Sequence, residues 1–340
     1  MTKQTILLIY GGKSSEHGVS VMSARNVYEA LNKQKYDVIL CYISRSAGTW
    51  NLVDSIDSSD GPVLQPLLGK SKFTADGREI GIDVVIPMLH GKNGEDGAIQ
   101  GLLNLVDIPY VGCGVEAGAL CMDKAATKRI SRAKTAKWME ISESQLDENK
   151  TLNDQILETL GAGPWFVKPS RAGSSVGVTK VTDIRNMESA LSLAHQHDAI
   201  ALIEEAIEGR ELEVAILGNP PHHTASAIGE VISGADFYDY DDKYSDSSES
   251  RVVIAPDLPT DINDSLRRQA CDIYERMGCI GLARVDFFLT KQNEIYMNEI
   301  NTMPGFTNIS MYPKLWQHEG LSYEKLLDTL VEAALNKHIA

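Results

Sequence analysis

Two short apolar runs, each cut off by glycine and followed by a helical pattern, constrain this chain more than any other feature. Residues 5–10 (Thr-Ile-Leu-Leu-Ile-Tyr) end at Gly11-Gly12, and residues 83–89 (Asp-Val-Val-Ile-Pro-Met-Leu) end at the loop 90–97. Short apolar runs bounded by turn signals read as strands buried on both faces. Between them, residues 19–33 place Val19, Met22, Val27, Ala30 and Leu31 near one stripe, which predicts a helix, and residues 36–43 form a further strand. Residues 98–106 are helical again. Strand, helix and strand with glycine-rich loops at the strand ends specify an open parallel, Rossmann-like sheet. Ligands of such sheets lie beyond the carboxyl ends of the strands, which is where residues 11–16 and 90–96 fall.

The rest of the chain reads differently. Residues 123–160 are helical and polar. Residues 164–169 form a strand, 170–177 a loop, 178–181 a strand, 184–195 an amphipathic helix, and 199–205 and 211–217 two more strands. This predicts antiparallel strands with helices on one face, an α+β section. Residues 233–251 are serine-rich and acidic and form a long loop, a length that points to function or disorder. A helix at 266–277, a hairpin of residues 282–289 and 295–301, and a helix at 322–335 complete the chain. At 340 residues about two domains are expected, or three smaller ones.

Composition excludes several classes of function. The longest apolar stretches, such as 84–89, are far short of the roughly 20 residues that span a membrane. Nothing at the N-terminus reads as a signal or lipidation motif. Cys41, Cys113, Cys121, Cys271 and Cys279 show no CxxC spacing, so neither a disulfide framework nor a zinc knuckle is expected, and the compartment reads as cytoplasmic. A net charge of −15 disfavours nucleic acid. A small anionic substrate requires lysines and arginines gathered in one cleft.

The loop from Lys168 to Gly177 (Lys-Pro-Ser-Arg-Ala-Gly-Ser-Ser-Val-Gly) meets that requirement. Its glycines and serines leave backbone N–H groups free to turn toward phosphate oxygens, with the Lys168 ammonium beside them. Residues 173–177 also match the G-x-S-x-G nucleophile elbow, with Ser175 as nucleophile, but the elbow requires a helix after the turn. Here β-branched residues 178–181 follow, which favours a phosphate cover. An ordinary hairpin loop is the plain alternative.

The hairpin carries the second candidate. Arg284, Asp286 and Phe288 share one face of their strand, and Glu299 and Asn301 share a face of theirs. A four-residue turn at 291–294 pairs Thr290 with Ile295 and sets Asp286 opposite Glu299. Facing carboxylates repel unless cations lie between them, and hard oxygen donors suit Mg²⁺. A five-residue turn would separate the pair. Glu204, Glu205, Glu211 and Glu213 are acidic residues at strand ends. The run 239–243 fails the EF-hand pattern. His195, His197, His222 and His223 read as surface residues, whereas His90, between a buried strand and Gly91, is placed for a site.

In order along the chain, these segments resemble the D-alanine–D-alanine ligases of the ATP-grasp superfamily. The likeness rests on Gly-Gly-Lys-Ser-Ser-Glu16-His-Gly-Val-Ser, Leu-His90-Gly-Lys-Asn-Gly-Glu-Asp-Gly, Cys-Met-Asp-Lys124 and the Lys168 loop. It continues through Tyr-Asp-Tyr-Asp-Asp-Lys243-Tyr244, Arg284-Val-Asp286 and Asn-Glu299-Ile-Asn301-Thr-Met-Pro-Gly. One departure is that residues 132–144 lack the apolar, proline-containing entry strand of the family's central domain.

The resemblance implies a Rossmann-like domain at 1–122, a central ATP-grasp subdomain at 123–212 and a C-terminal one at 213–340, with a lid near 233–256. It implies ATP-dependent joining of two D-alanines through a D-alanyl phosphate, for peptidoglycan precursors, by a cytoplasmic homodimer paired through its N-terminal region. It implies ATP against Lys124, Lys168, Ser175, Glu204, Glu205, Ile207, Glu211, Lys243 and Phe288, and two Mg²⁺ or Mn²⁺ on Asp286, Glu299 and Asn301. Glu16 would hold the first ammonium in a triad with Ser174 and Tyr244, and His90 would orient the first substrate or exchange protons with it. Arg284 and Gly305 would stabilise the oxyanion, and Ser310 and Met311 would receive the second substrate. The alternatives are a D-serine or D-lactate ligase of the same family, with Tyr244 as the discriminating residue, and a hydrolase using Ser175.

Overall fold

The computed structural model describes residues 3–148, 151–232 and 251–338. The first sheet has the order β3-β2-β1-β7, formed by β1 (Gln4–Gly11), β2 (Tyr36–Ile43), β3 (Trp50–Val53) and β7 (Val84–Met88). β1 runs parallel to β2 and β7, and β3 adds an antiparallel edge. The unbroken apolar run of β1 has a direct cause. Leu7 and Ile9 pack with α2 (Ala98–Val106), while Ile6, Leu8 and Tyr10 pack with α1 (His17–Ala30) and the C-terminal helix. Both faces are buried, at about 1.5–3 kcal/mol of transfer free energy per large apolar side chain. Three strands not read in the sequence, β4 (Gln65–Leu67), β5 (Lys72–Ala75) and β6 (Arg78–Gly81), form a small antiparallel sheet.

α3 (Val115–Met122) and α4 (Lys124–Ile130) lead into a second sheet of order β10-β9-β11-β8. Its strands are β8 (Trp138–Ser142), β9 (Trp165–Pro169), β10 (Thr179–Val181) and β11 (Ile200–Glu205), all antiparallel to their neighbours. Two helices, α6 (Leu152–Leu160) and α7 (Met187–His195), cover one face, with α5 (Glu143–Glu148) following β8. β8 corrects the reading of 123–160 as helical: the entry strand absent from the sequence pattern is present, with Ile141 as its single buried residue.

The third sheet has the order β14-β13-β12-β15-β16, from β12 (Arg210–Leu217), β13 (Thr224–Ile232), β14 (Arg251–Ile254), β15 (Leu282–Leu289) and β16 (Ile295–Asn301). α8 (Thr260–Arg276) packs against it. α9 (Met311–His318) packs on β12, β13 and β14 of the third sheet, and α10 (Tyr323–His338) returns to the first sheet, against α1 and β7. Packing crosses residue 122, since Ala117 and Cys121 of α3 lie in the core of the third sheet. Of the expected lid at 233–256, residues 233–250 lie outside the described residues, and Lys243 and Tyr244 with them. The architecture is the mixture of parallel α/β and antiparallel α+β expected from the sequence.

Candidate active site

The β15–β16 ribbon brings the acidic pair together by a route the sequence did not suggest. Leu289 pairs with Ile295, so five residues connect the strands, and Asn293 closes the turn at φ 60°. That parity separates Asp286 from Glu299. A bulge restores them: Phe287 pairs with Met297, Asp286 pairs with Glu299, and Asn298 is the extra residue. Bulges re-aim side chains in this way. Asp286 is then gripped by three hydrogen bonds from two residues. Arg284 Nε and Nη2 donate to its two carboxylate oxygens at 2.7 Å each, and Asn301 Nδ2 donates at 3.0 Å. Glu213 of β12 lies directly across from Asp286 and takes Arg284 Nε at 3.0 Å. Glu299 lies 3.8 Å from Lys124 Nζ, which also donates to Ala172 O at 2.6 Å.

A buried ion cluster lies beside this ribbon. Lys168 of β9 reaches Glu204 of β11 at 2.8 Å, and Lys128 of α4 reaches the other oxygen of the same carboxylate at 3.1 Å. The Lys128 side chain is 1% exposed. Burial pushes the Glu204 carboxyl up, but the two ammoniums outweigh it and hold it below the usual range. Burial lowers Lys128, opposed by Glu204, and lowers Lys124, opposed by Glu299. Asp123 links this cluster to the loop after β9. It caps α4 through Ala126 N at 3.0 Å and accepts from Ser170 Oγ at 2.8 Å.

That loop crosses to the first sheet. Ser174 Oγ donates to Glu16 Oε1 at 2.5 Å. Ser174 and Ser175 adopt φ of 49° and 59°, a left-handed conformation that costs each about 1–2 kcal/mol. The loop joins β9 to antiparallel β10, so the helix that a nucleophile elbow requires is absent.

These parts enclose a cavity of about 410 Å³. Glu16, His90, Lys124 and Ser174 line one side. Glu211, Arg284, Asp286, Phe288, Glu299 and Asn301 line the ribbon side, and Gly305, Ser310 and Met311 line the end. Ser310 Oγ accepts from Thr307 N at 3.1 Å. Lys168, Ser175, Glu204, Glu205 and Ile207 are not part of this lining. Lys168 and Glu204 are buried in the ion cluster, and Glu205 accepts from Lys137 N at 2.8 Å. His90 has both ring nitrogens engaged within the protein: Nδ1 with Met303 O and Nε2 with Ser23 Oγ, each at 3.1 Å. Burial holds it below the usual histidine range, against the pull of Glu16. His223, read as a surface residue, instead stacks on Tyr274 at 5.3 Å with its side chain 7% exposed.

Sequence reasoning missed two residues of the site, Glu95 and Lys128, and gave Glu213 no role. Glu95 accepts from Gly91 N at 2.6 Å and from Met303 N at 3.3 Å. Burial and the nearby Glu16 push its carboxyl up to about 8. A raised acid favours folding below its unfolded value, and that contribution is lost as pH rises toward 8. Glu95→Gln therefore removes the decline in stability between pH 5 and 8 that Glu95 causes. Urea midpoints at pH 5, 6.5 and 8 check this, and an unchanged pH slope in the variant contradicts it.

The donors on the ribbon fit a hard divalent cation. Asp286 and Glu299 face each other, and Asn301 uses its amide nitrogen on Asp286, which leaves the amide oxygen available. Mg²⁺ takes such a set of few protein oxygens, completed by water and phosphate.

Comparison with known proteins identifies the family. The family model for the D-ala D-ala ligase N-terminus matches residues 5–113, and that for the C-terminus matches residues 132–332. D-alanine–D-alanine ligase A of Escherichia coli (strain K12) is 41% identical, covering 100% of this chain and 98% of its own. The ligase of Proteus mirabilis is also 41% identical, over 99% and 97%. Among solved structures, the D-alanine–D-alanine ligase of Coxiella burnetii superposes with a TM-score of 0.89 at 33% identity, over 100% of this chain and 96% of that one. The VanG D-Ala:D-Ser ligase of Enterococcus faecalis gives 0.88 at 33%, over 98% and 100%. These neighbours carry the ATP-grasp fold that the ordered motifs imply. The chain belongs to the D-alanine–D-alanine ligase family.

Proposed function

We propose that this chain joins two D-alanine molecules into a dipeptide, with ATP converted to ADP and phosphate. The observation that carries the reading is the bulged ribbon, which sets Asp286 and Glu299 face to face beside Lys124, across one cavity from the Glu16–Ser174 pair. When bound, ATP supplies the phosphoryl group that makes the first D-alanine carboxylate an acyl donor. Two Mg²⁺ or Mn²⁺ held by Asp286, Glu299 and Asn301 would neutralise the phosphate charge on which such a transfer depends.

The chain's own residues position the reactants. Glu16, steadied by Ser174, accepts the ammonium of the first D-alanine, and His90 holds the neighbouring backbone. Lys124 and Lys168 place positive charge on the nucleotide phosphates under the loop that carries Ser175, with Glu204, Glu205, Ile207, Glu211 and Phe288 at its base and ribose. Arg284 is held between Glu213 and Asp286, so its charge is already aimed when the amine of the second D-alanine attacks the acyl carbon. Such preorganisation is what stabilises a developing oxyanion, and the backbone at Gly305 adds to it. Ser310 and Met311 receive the second carboxylate, the phosphate leaves, and the attacking nitrogen loses a proton. Residues 233–250, with Lys243 and Tyr244, would keep water from the acyl phosphate, since Arg251–Ile254 of the expected lid are strand β14.

All five cysteines are free thiols, which supports a cytoplasmic setting. No described helix is long and apolar enough to cross a membrane. A homodimer through the N-terminal region belongs to the same reading. The likeness to the D-Ala:D-Ser ligase keeps one second reading, D-serine at the end lined by Gly305 and Ser310. Incubation with ATP, Mg²⁺ and equal D-alanine, D-serine and D-lactate separates them: D-alanyl-D-alanine is the expected main product. Mainly D-alanyl-D-serine supports the second reading, and no ATP-dependent product overturns both.

A further inference from the structure

We infer that Glu95 is a positioning residue for the second half of this reaction, fastening the loop that carries Gly305 and Ser310 to the loop that borders Glu16. The inference rests on the ligase reading above and adds a residue and a coupling to it.

The geometry is a clamp on one residue. The loop after β7 takes Met303 by both ends of its backbone: Met303 N–H donates to Glu95 Oε1 at 3.3 Å, and Met303 O accepts from His90 Nδ1 at 3.1 Å. A carbonyl only accepts, so the His90 proton is on Nδ1 and its Nε2 accepts from Ser23 Oγ at 3.1 Å. Ser23 Oγ in turn accepts from Phe306 N at 3.3 Å. Residues on both sides of Gly305 are thus held by the first sheet and its loops.

The same loop is held at its other end next to the first-substrate site. Ser14 Oγ donates to His90 O at 2.8 Å. Gly91 N donates to the second oxygen of Glu95 at 2.6 Å. Gly91 itself packs onto Glu16: a Cβ there would lie 2.2 Å from Glu16 Oε2, at a φ of +71° that already favours glycine. One Glu95 oxygen therefore serves the loop against Glu16, and the other serves the loop that holds Gly305. Each Glu95 oxygen accepts from one N–H donor, and the two donors lie on separate elements. An amide side chain offers only one acceptor oxygen and must leave one of them unmet.

Glu95→Gln separates the two halves of the reaction. Hydroxylamine intercepts the activated first D-alanine as its hydroxamate without a second D-alanine, whereas dipeptide formation requires the Gly305 loop in place. The expected result is a hydroxamate rate within about twofold of the parent and an apparent KM for the second D-alanine raised about tenfold, the scale of losing one buried hydrogen bond. The KM for ATP stays unchanged. Ser23→Ala, which releases Phe306 from the other end of the clamp, shows the same split and serves if Glu95→Gln does not fold. Equal losses in both assays, or no change in either, overturn the inference. If the parent itself makes neither hydroxamate nor dipeptide, it is the ligase reading that fails.

Discussion

Glu299→Gln leaves the chain folded and lowers metal-dependent dipeptide synthesis by about 10³-fold, the scale on which loss of one preorganised charge acts. The substitution keeps the shape of the side chain and removes its charge. Asp286 already serves the same cations, so it cannot supply the charge that Glu299 loses. The fold has little reason to change. The Glu299 side chain is 29% exposed, its ion pair with Lys124 is long at 3.8 Å, and Lys124 keeps its bond to Ala172 O. Circular dichroism and a coupled ADP assay across a Mg²⁺ titration check both halves. Full turnover in the variant removes the acidic pair from the mechanism.

Glu204→Gln has the larger effect on stability. It leaves Lys128 and Lys168, with side chains 1% and 11% exposed, facing each other without the carboxylate between them. Removing one partner of a buried ion pair costs about 3–5 kcal/mol. The Lys168 ammonium also loses its anchor, so the KM for ATP rises with it. Lys128→Met is milder, because Lys168 still balances the Glu204 charge. One unmet carboxylate oxygen costs about 1–3 kcal/mol. Urea denaturation of the two variants gives the order: Lys128→Met as damaging as Glu204→Gln contradicts this view of the cluster.

These two predictions differ in how far the sequence could have led to them. Asp286 and Glu299 were legible as a facing pair because strand alternation is a local property. Their actual register was not, since the turn has the parity that separates them and only the bulge at Asn298 restores the face. Nothing about an asparagine in Tyr-Met-Asn-Glu marks it as a bulge before the strands are paired. The parallel sheet was legible for a similar reason, since burial on both faces leaves an unbroken apolar run.

Residues whose role depends on a distant partner were not legible. Lys128, on a seven-residue helix, reads as one more solvated lysine until β11 brings Glu204 against it. Glu95 belonged to a motif that carried the resemblance, yet its role appears only once Met303, 208 positions away, reaches it. β8 was missed because Trp138-Met-Glu-Ile-Ser buries one residue and shows no alternation. The strands of 65–81 are three or four residues long, too short for any period to show.

On the proposed function, divalent cations and a nucleotide triphosphate meet at the β15–β16 ribbon. Crystals grown with Mn²⁺ and a non-hydrolysable ATP analogue, measured at the manganese absorption edge, test it directly. The expected result is anomalous peaks within bonding distance of Asp286, Glu299 and Asn301, with the phosphate chain running toward Lys124 and Lys168. Manganese bound elsewhere, with the nucleotide outside this cavity, contradicts it.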